Sequence, residues 1–356
     1  MTATHSPAHA EQLEPFRREL TAYCYRMLGS PFEAEDAVQE TMVRAWRNLD
    51  RFEGRSALRS WVYRIATNVC LDMLGSRERR ARPMDLRPAG SADDGLPPPL
   101  PETAWIEPAP DNVVVPAGGD PADVAVARES VKLAFMAALQ HLPPRQRAVL
   151  ILREVLRWRA VEVAALLDTT VASVNSALQR ARATLDSLQV DLERLGSGSS
   201  GELGDQERSL LAQYVDAFER YDMDALTALL AQDATWNMPP YDLWLHTHAD
   251  IVTWCLGPGI GCRGSRLIPT AANGAPAFGQ YKPSPAGGWE PWSLQVLDVT
   301  DGRITGITFF LDTRRFFPLF GLPPRLEPDA RRPERSALGQ DLGAVVGDGD
   351  GVLEVR

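Results

Sequence analysis

The chain has 356 residues, 44% of them hydrophobic, and sets 37 lysines and arginines against 47 aspartates and glutamates, a formal net charge of −10. That length suits two or three compact domains, and no run of about eighteen apolar residues is present to cross a membrane. The opening "MTATHSPAHAEQLEPF" lacks the basic-then-apolar pattern of a leader peptide, and Cys24, Cys70, Cys255 and Cys262 are too scattered for a disulfide scaffold or a zinc site, so reduced thiols are expected.

The acidic balance is unevenly spread. Residues 1–82 carry 13 cations against 11 anions and residues 121–196 carry 10 against 8, whereas residues 83–120 carry 1 against 7 and residues 197–356 carry 13 against 21. Two mildly basic segments are therefore joined through, and followed by, acidic ones. An acidic net charge does not exclude a nucleic-acid partner when cations gather on one face.

Residues 11–82 read as helix. In "SPFEAEDAVQETMVRAWRNL" Ser30 caps, a proline opens the helix and acids fill the first turn. Val38, Met42, Ala45, Trp46 and Leu49 form its expected buried stripe, with Glu33, Asp36, Glu40, Arg44 and Arg47 outside. After "DRFEGRS", a second helix is expected to bury Leu58, Trp61, Val62, Ile65, Val69 and Met73. Residues 83–123 then fill with proline, glycine and acid and predict a long linker mostly without regular structure.

Residues 124–194 return to helix. In "DTTVASVNSALQRARATL" apolar residues recur at Val174, Leu178, Ala181, Leu185 and Leu188, the spacing of one buried helical face. Asp168 stands at the turn of a helix-turn-helix, where a left-handed residue is needed, and Thr170 can cap the next helix. The opposite face offers Ser173, Ser176, Gln179 and Arg180, bordered by Arg182, groups that bond phosphates and base edges in a major groove. A plain helical hairpin with a solvated face is the alternative.

"GSGSSG" at 196–201 marks a domain boundary. Beyond it a helix pair precedes the β-rich runs "ATWNM", "SRLIPTAANG", "PAFGQYK", "WSLQVLDVT" and "ITGITFFL", the last two joined by the tight turn Asp301–Gly302. Helices followed by a meander predict an α+β fold with a curved antiparallel sheet. The last thirty residues, polar and glycine-rich, are expected to be disordered.

"EAEDAVQETMVRAW" with "FEGRSALRSWVYRIATNVCLDML" resembles region two of the extracytoplasmic-function (ECF) sigma factors of bacterial RNA polymerase. "LPPRQRAVLILREVLRWRAVEVAALLDTTVASVNSALQRARATL" resembles their region four, with aspartate where the family commonly has glycine in the turn. The resemblance implies that Asp36, Gln39, Glu40 and Arg44 dock on the polymerase clamp. It implies that Arg55 and Ser56, in the "FEGRS" loop, hold an unstacked promoter base. Asn68 either reaches the same base or serves core polarity, and Arg77, Arg79, Arg80 and Arg82 read as phosphate contacts or a solvated helix end.

Residues 205–326 resemble a SnoaL-like domain, an α+β cone-shaped barrel shared by polyketide cyclases and non-catalytic pocket proteins. Asp242, Asp298, Asp312 and Arg314 are the acid/base candidates and do not converge in sequence. His246 and His248 are two apart, a weak metal pattern beside ordinary loop polarity. Trp236, Met238, Trp244, Trp254, Phe278, Trp289 and Trp292 line a pocket or simply fill a core. In the linker, Trp105 and Ile106 of "ETAWIEPAP" are large apolar groups in a polar stretch and form a candidate regulatory interdomain contact.

The expected division is region two at 11–82, an acidic proline-rich linker at 83–127, the region-four helix-turn-helix at 128–195, the SnoaL-like domain at 205–326 and a tail at 327–356. The two sigma domains are expected to be all-α, the first a helical bundle. The implied function is that of an alternative sigma factor, cytoplasmic and not an enzyme, with core RNA polymerase and promoter DNA as partners and a small molecule as a candidate ligand of the SnoaL-like domain. No cofactor, metal or membrane is implied. A small-molecule-converting SnoaL-like enzyme and a ligand-sensing one-component repressor are the rivals; a repressor has no need of a clamp-docking face at Asp36, Gln39 and Glu40.

Overall fold

The computed structural model describes residues 11–54, 57–75, 79–188 and 204–328. They fall into two compact units, one of residues 11–80 and 113–188, the other of residues 81–112 and 204–328. The "GSGSSG" boundary, the Arg55–Ser56 pair, Arg77 and nearly all of the expected tail lie outside the described residues.

The first unit is helical. Helix α1 spans Arg17–Leu28 and ends at Gly29, whose φ of 75° is the left-handed position glycine tolerates. Ser30 then accepts a hydrogen bond from the Glu33 amide and caps α2, Pro31–Asn48. The buried face of α2 is Ala34, Ala37, Val38, Thr41 and Ala45. It is turned from the expected stripe toward small residues, which let α1 and α3 approach closely; Met42 and Trp46 are only half-buried. The expected place of Glu33 on the outer stripe is corrected: its carboxylate pairs with Arg80 at 2.9 Å, and Arg80 is 7% exposed rather than a solvated helix end.

Helix α3, Leu58–Leu74, buries Val62, Tyr63, Ala66, Thr67, Val69 and Cys70, while Leu58, Trp61, Ile65 and Met73 of the expected stripe are half-buried. Cys24 and Cys70 are free thiols inside this bundle. The thiol–thiol contact and burial push Cys70 well above the usual thiol range, so it is inert as a nucleophile.

From residue 113 the unit continues through α4 (Pro121–Glu129), α5 (Leu133–Gln140) and α6 (Pro144–Leu150). A π-helical turn, Ile151–Val155, carries α6 toward α7 (Ala160–Leu166) and α8 (Val171–Ser187). Two buried arginines fasten α1 to this stretch. Arg26 donates to Ser130 Oγ at 2.9 Å and to the Ala127 carbonyl at 3.0 Å. Arg147 donates to the Met27 carbonyl and to Gln140 Oε1. Burial away from water lowers each guanidinium to a pKa of about 10.

The second unit is α+β. Helices α9 (Asp205–Arg220) and α10 (Met223–Leu229) lead into β1 (Leu230–Asn237) and β2 (Trp244–Leu245). Then follow α11 (His248–Leu256), β3 (Arg266–Ala272), β4 (Ala275–Pro283), β5 (Trp289–Thr300), β6 (Arg303–Phe310) and α12 (Thr313–Leu319). The six strands are ordered β2-β1-β6-β5-β4-β3. The antiparallel expectation is corrected at one pairing, since β1 runs parallel to β6. Asp301–Gly302 turns as expected with both φ positive, 50° and 71°, as does Asn273–Gly274 with 57° and 69°.

On one sheet face Trp236, Ile307 and Leu297 are in register, as are Phe278, Gln295 and Phe309, and α9 covers them with Leu211, Tyr214 and Phe218. α12 covers the other face, where Phe316 meets Phe310 and Phe317 meets Tyr281 with ring centroids 5.8 and 5.1 Å apart. The segment expected as a linker mostly without regular structure has only short turns, but residues 81–112 belong to the sheet domain, which was not expected. It contains single helical turns at Pro83–Leu86 and Asp111–Val114 and is bonded along its length to the sheet domain. Trp244 Nε1 donates to the Arg87 carbonyl at 2.8 Å, and the Gly90 amide donates to the Trp244 carbonyl at 2.9 Å. Ala109 and Asn273 exchange two bonds, and the Gly274 amide donates to Asp111 Oδ1 at 2.7 Å. Arg315 of α12 reaches Glu102 at 2.6 Å and Glu107 at 2.7 Å.

Candidate nucleic-acid interface

The turn between α7 and α8 forms as its residues dictate. Asp168 takes φ 50°, the left-handed conformation that aspartate tolerates better than most side chains. Thr170 Oγ1 accepts from the Ser173 amide at 3.1 Å and closes the first turn of α8. Val174, Leu178, Ala181 and Leu185 face inward. Leu188 is corrected: it follows the last helical turn and is 37% exposed. Ser173, Ser176, Gln179 and Arg180 are all exposed along one side of α8. Arg182 is exposed too, but its guanidinium is held by Glu154 at 2.7 Å. The surface is thus a file of hydroxyl, amide and cationic donors on a helix anchored from behind, the geometry by which a second helix enters a major groove.

On α2, Asp36, Gln39 and Glu40 are exposed on successive turns. Arg44 is half-exposed, bonded to Glu40 at 2.6 Å and 3.6 Å from Asp72. Gln39 Nε2 donates to Glu35 at 3.2 Å. Val43 stands among them 40% exposed, an apolar group the helical pattern did not single out. Asn68 on α3 is exposed, so it faces solvent rather than serving core polarity. Arg64, one turn earlier on the same side, is exposed as well and was missed by sequence reasoning, although its i, i+4 spacing from Asn68 was visible. Arg79 bonds His141 Nδ1 at 2.6 Å, and Arg82 pairs with Asp85 at 3.3 Å, so neither is a bare helix end.

In the second unit the acid/base candidates do not converge. Asp242 pairs with Arg87 at 3.2 Å. Asp298 lies against Gly306, Asp312 is 3.7 Å from Arg315, and Arg314 is exposed. His248 bonds the Ala231 carbonyl at 2.8 Å and His246 packs its ring edge-on to Trp244. Trp236, Met238, Trp254 and Phe278 belong to the core, whereas Trp244 and Trp289 are half-buried and Trp292 is exposed. One set of interior polar groups closes on itself, while Asn237 Oδ1 is buried without a hydrogen-bond partner. Tyr214 donates to Gln295 at 2.7 Å, Gln295 to Gln280 at 2.9 Å, Ser293 to Gln280 at 2.7 Å and Gln280 to Ser265 at 3.1 Å. Trp105 and Ile106 are buried in this unit, 3% and 2% exposed, with the Ile106 amide donating to the Ala81 carbonyl.

The sigma-70 region 2 family model matches residues 13–80 and the sigma-70 region 4 model residues 132–185. The chain is 46% identical over 319 residues to the ECF RNA polymerase sigma factor SigG of Mycobacterium tuberculosis, covering 88% of this chain and 83% of that protein. The chain belongs to the ECF RNA polymerase sigma factors. It is 30% identical over 181 residues to SigW of Bacillus subtilis, half of this chain and 87% of that one. The crystal structure of SigJ from Mycobacterium tuberculosis matches 88% of the chain with a TM-score of 0.56 at 20% identity, a likeness of fold. As a sigma factor the protein is a transcription initiation factor and not an enzyme, and its family implies RNA polymerase and promoter DNA as partners. Among the described residues no single helix is long and apolar enough to cross a membrane.

Proposed function

We propose that α2 docks this sigma factor on the polymerase clamp through Asp36, Gln39, Glu40 and Arg44, and that α8 reads the upstream promoter element through Ser173, Ser176, Gln179 and Arg180. Asn68, with the loop at Arg55 and Ser56, takes the melted strand. The carrying observation is the exposed file of donors on α8, set by the Asp168 turn and the Thr170 cap. Arg182 has a lesser part, because its pairing with Glu154 already fixes the guanidinium. The setting is the cytoplasm, where polymerase and promoter are.

The C-terminal domain regulates through the strip it holds. Residues 81–112 connect region two to region four, and their bonds to Trp244, Asn273, Gly274 and Arg315 commit that connection to the C-terminal domain, with Trp105 and Ile106 as its apolar anchor. Such a commitment restrains the sigma domains. The strip is bonded to the domain along its length, so the reading takes the strip rather than a small-molecule ligand as the regulatory element.

The test is transcription in vitro with core polymerase and a panel of promoters. Promoter-specific product that depends on the added protein is expected. Binding of promoter DNA without core, and no product with core, would instead identify a repressor.

A further inference from the structure

The α+β unit leaves one part of its surface both apolar and cationic. Outside residues 81–112, the large apolar side chains exposed in the described part of this unit are Leu256, Ile260 and Trp292, at 49%, 43% and 37%. Leu256 ends α11, and Ile260 stands in the 3-10 turn Ile260–Cys262 of the loop that follows. That loop is folded back on the helix, with the Gly257 amide on the Thr253 carbonyl and the Gly259 amide on the Trp254 carbonyl. Trp292 of β5 adjoins it, because Trp292 and Gln280 both hydrogen-bond the Cys262 thiol. Large apolar groups gathered on one loop and the strand beside it mark a surface made to be covered.

Cations fence this patch. Lys282 Nζ lies 3.9 Å from the centroid of a Trp292 ring, and Arg266 lies 4.9 Å from that of Trp289. Their carboxylate partners are distant, Glu290 at 3.6 Å and Glu219 at 3.7 Å, beyond a good hydrogen bond. Arg263, directly after Cys262, is exposed over the Tyr221 ring and has no carboxylate partner among the described residues. The patch therefore presents net positive charge around apolar side chains, and it suits a segment with the opposite pattern.

The chain itself supplies such a segment, and from the right place. Leu326 and Trp289 exchange two amide–carbonyl bonds at 2.9 and 3.0 Å, and the Trp289 indole donates to the Gly264 carbonyl at 2.9 Å, two residues past Cys262. The described chain ends at Pro328, beside the patch, and 28 further residues follow in the sequence. Among them, residues 341–355, "DLGAVVGDGDGVLEV", hold four acids, seven apolar residues and no base. Twelve residues separate Pro328 from Asp341, and such a length reaches at most about 40 Å, enough to return to a loop just passed.

We propose that residues 341–355 dock within the chain on the patch of Leu256, Ile260 and Trp292, with their acids toward Arg263, Lys282 and Arg266. The tether sets an effective concentration on the order of 1 mM, so a contact too weak to hold a free peptide is occupied here. This docking lies outside the sigma domains and outside the strip, and it does not rest on the roles proposed above.

The experiment uses the full chain. Hydroxyl-radical footprinting reads the oxidation rates of the Leu256, Ile260 and Trp292 side chains. Wild type is compared with Asp348→Lys plus Asp350→Lys and with Val352→Asp plus Leu353→Asp, and calorimetry checks that each keeps the transition of the α+β unit. Oxidation at the three positions is expected to be about fivefold slower in wild type than in either tail variant, the ratio that ~1 mM effective concentration gives against a ~0.25 mM dissociation constant. Arg263→Glu is expected to lose protection of Leu256 and Ile260, and to regain part of it when joined to Asp348→Lys and Asp350→Lys. Equal rates in wild type and both tail variants overturn the proposal. Protection that fades on dilution overturns it too, and assigns the patch to a second copy of the chain.

Discussion

Arg180 and Arg182 stand two residues apart on α8, and the structure gives them different surroundings. Arg180 is exposed with its guanidinium pointing away from the packed face, whereas Arg182 is bonded to Glu154 across to the π-helical turn. Arg180→Ala should weaken binding to the upstream element by about 1–3 kcal/mol if the guanidinium makes a bidentate base contact, and relax specificity at one position. A uniform loss across all sequences would instead assign it to phosphate. Fluorescence anisotropy against a set of single-base variants separates the two, and unchanged binding to all of them removes Arg180 from the interface. Arg182→Ala should cost less in binding, and its exposed ion pair contributes at most about 1 kcal/mol to stability. The exposure of both arginines was legible from the 3.6-residue period. The Glu154 contact was not, because 28 residues and a π-helical turn separate the partners.

At the scale of elements, α2 shows what periodicity finds and what it misses. Its start was fixed by Ser30, Pro31 and Glu33, and its exposed Asp36 and Glu40 lie where a helical wheel puts them. Its buried face was mis-set by part of a turn, since hydrophobicity favours Met42 and Trp46 whereas close helix packing favours Ala34, Ala37 and Thr41. Glu33 joined the buried side because Arg80, from beyond α3, reaches it; no local pattern carries that information. Asp36→Arg with Glu40→Arg should therefore abolish co-purification with core polymerase while leaving the helical circular dichroism and melting temperature near wild type. Glu40 loses only its exposed i, i+4 partner Arg44, worth a few tenths of a kcal/mol. Wild-type recovery of core with the double variant removes α2 from the docking surface. The sheet was legible from its alternating runs and turn dipeptides, but β2, with two residues, and α11 had too little pattern to be seen.

For the molecule as a whole, the reading of residues 83–123 as a long linker mostly without regular structure agrees with the single turns found up to Val114, but it missed for a physical reason that residues 81–112 belong to the α+β unit. Proline, glycine and acid deny this stretch any helical or strand period, yet they do not stop it from bonding to a surface made elsewhere in the chain. Its partners Asp242, Asn273 and Arg315 lie more than 150 residues away. Arg315 is the most informative of them. It pairs with Glu107, whose side chain is 4% exposed, and with Glu102, which is largely in solvent. Arg315→Ala would withdraw that ion partner from a buried carboxylate, a change that costs about 3 kcal/mol in comparable buried pairs, so calorimetry of the full chain should show a lowered transition for the α+β unit. The same variant should release the strip from α12, and limited proteolysis should then cut within residues 81–112 sooner than in wild type. If the bound strip restrains the sigma domains, promoter-specific transcription rises with that release. Arg315→Lys, which keeps the charge but loses the forked geometry, should fall between the two. Earlier cleavage with no change in transcription would show that the strip is held by the domain without regulating it.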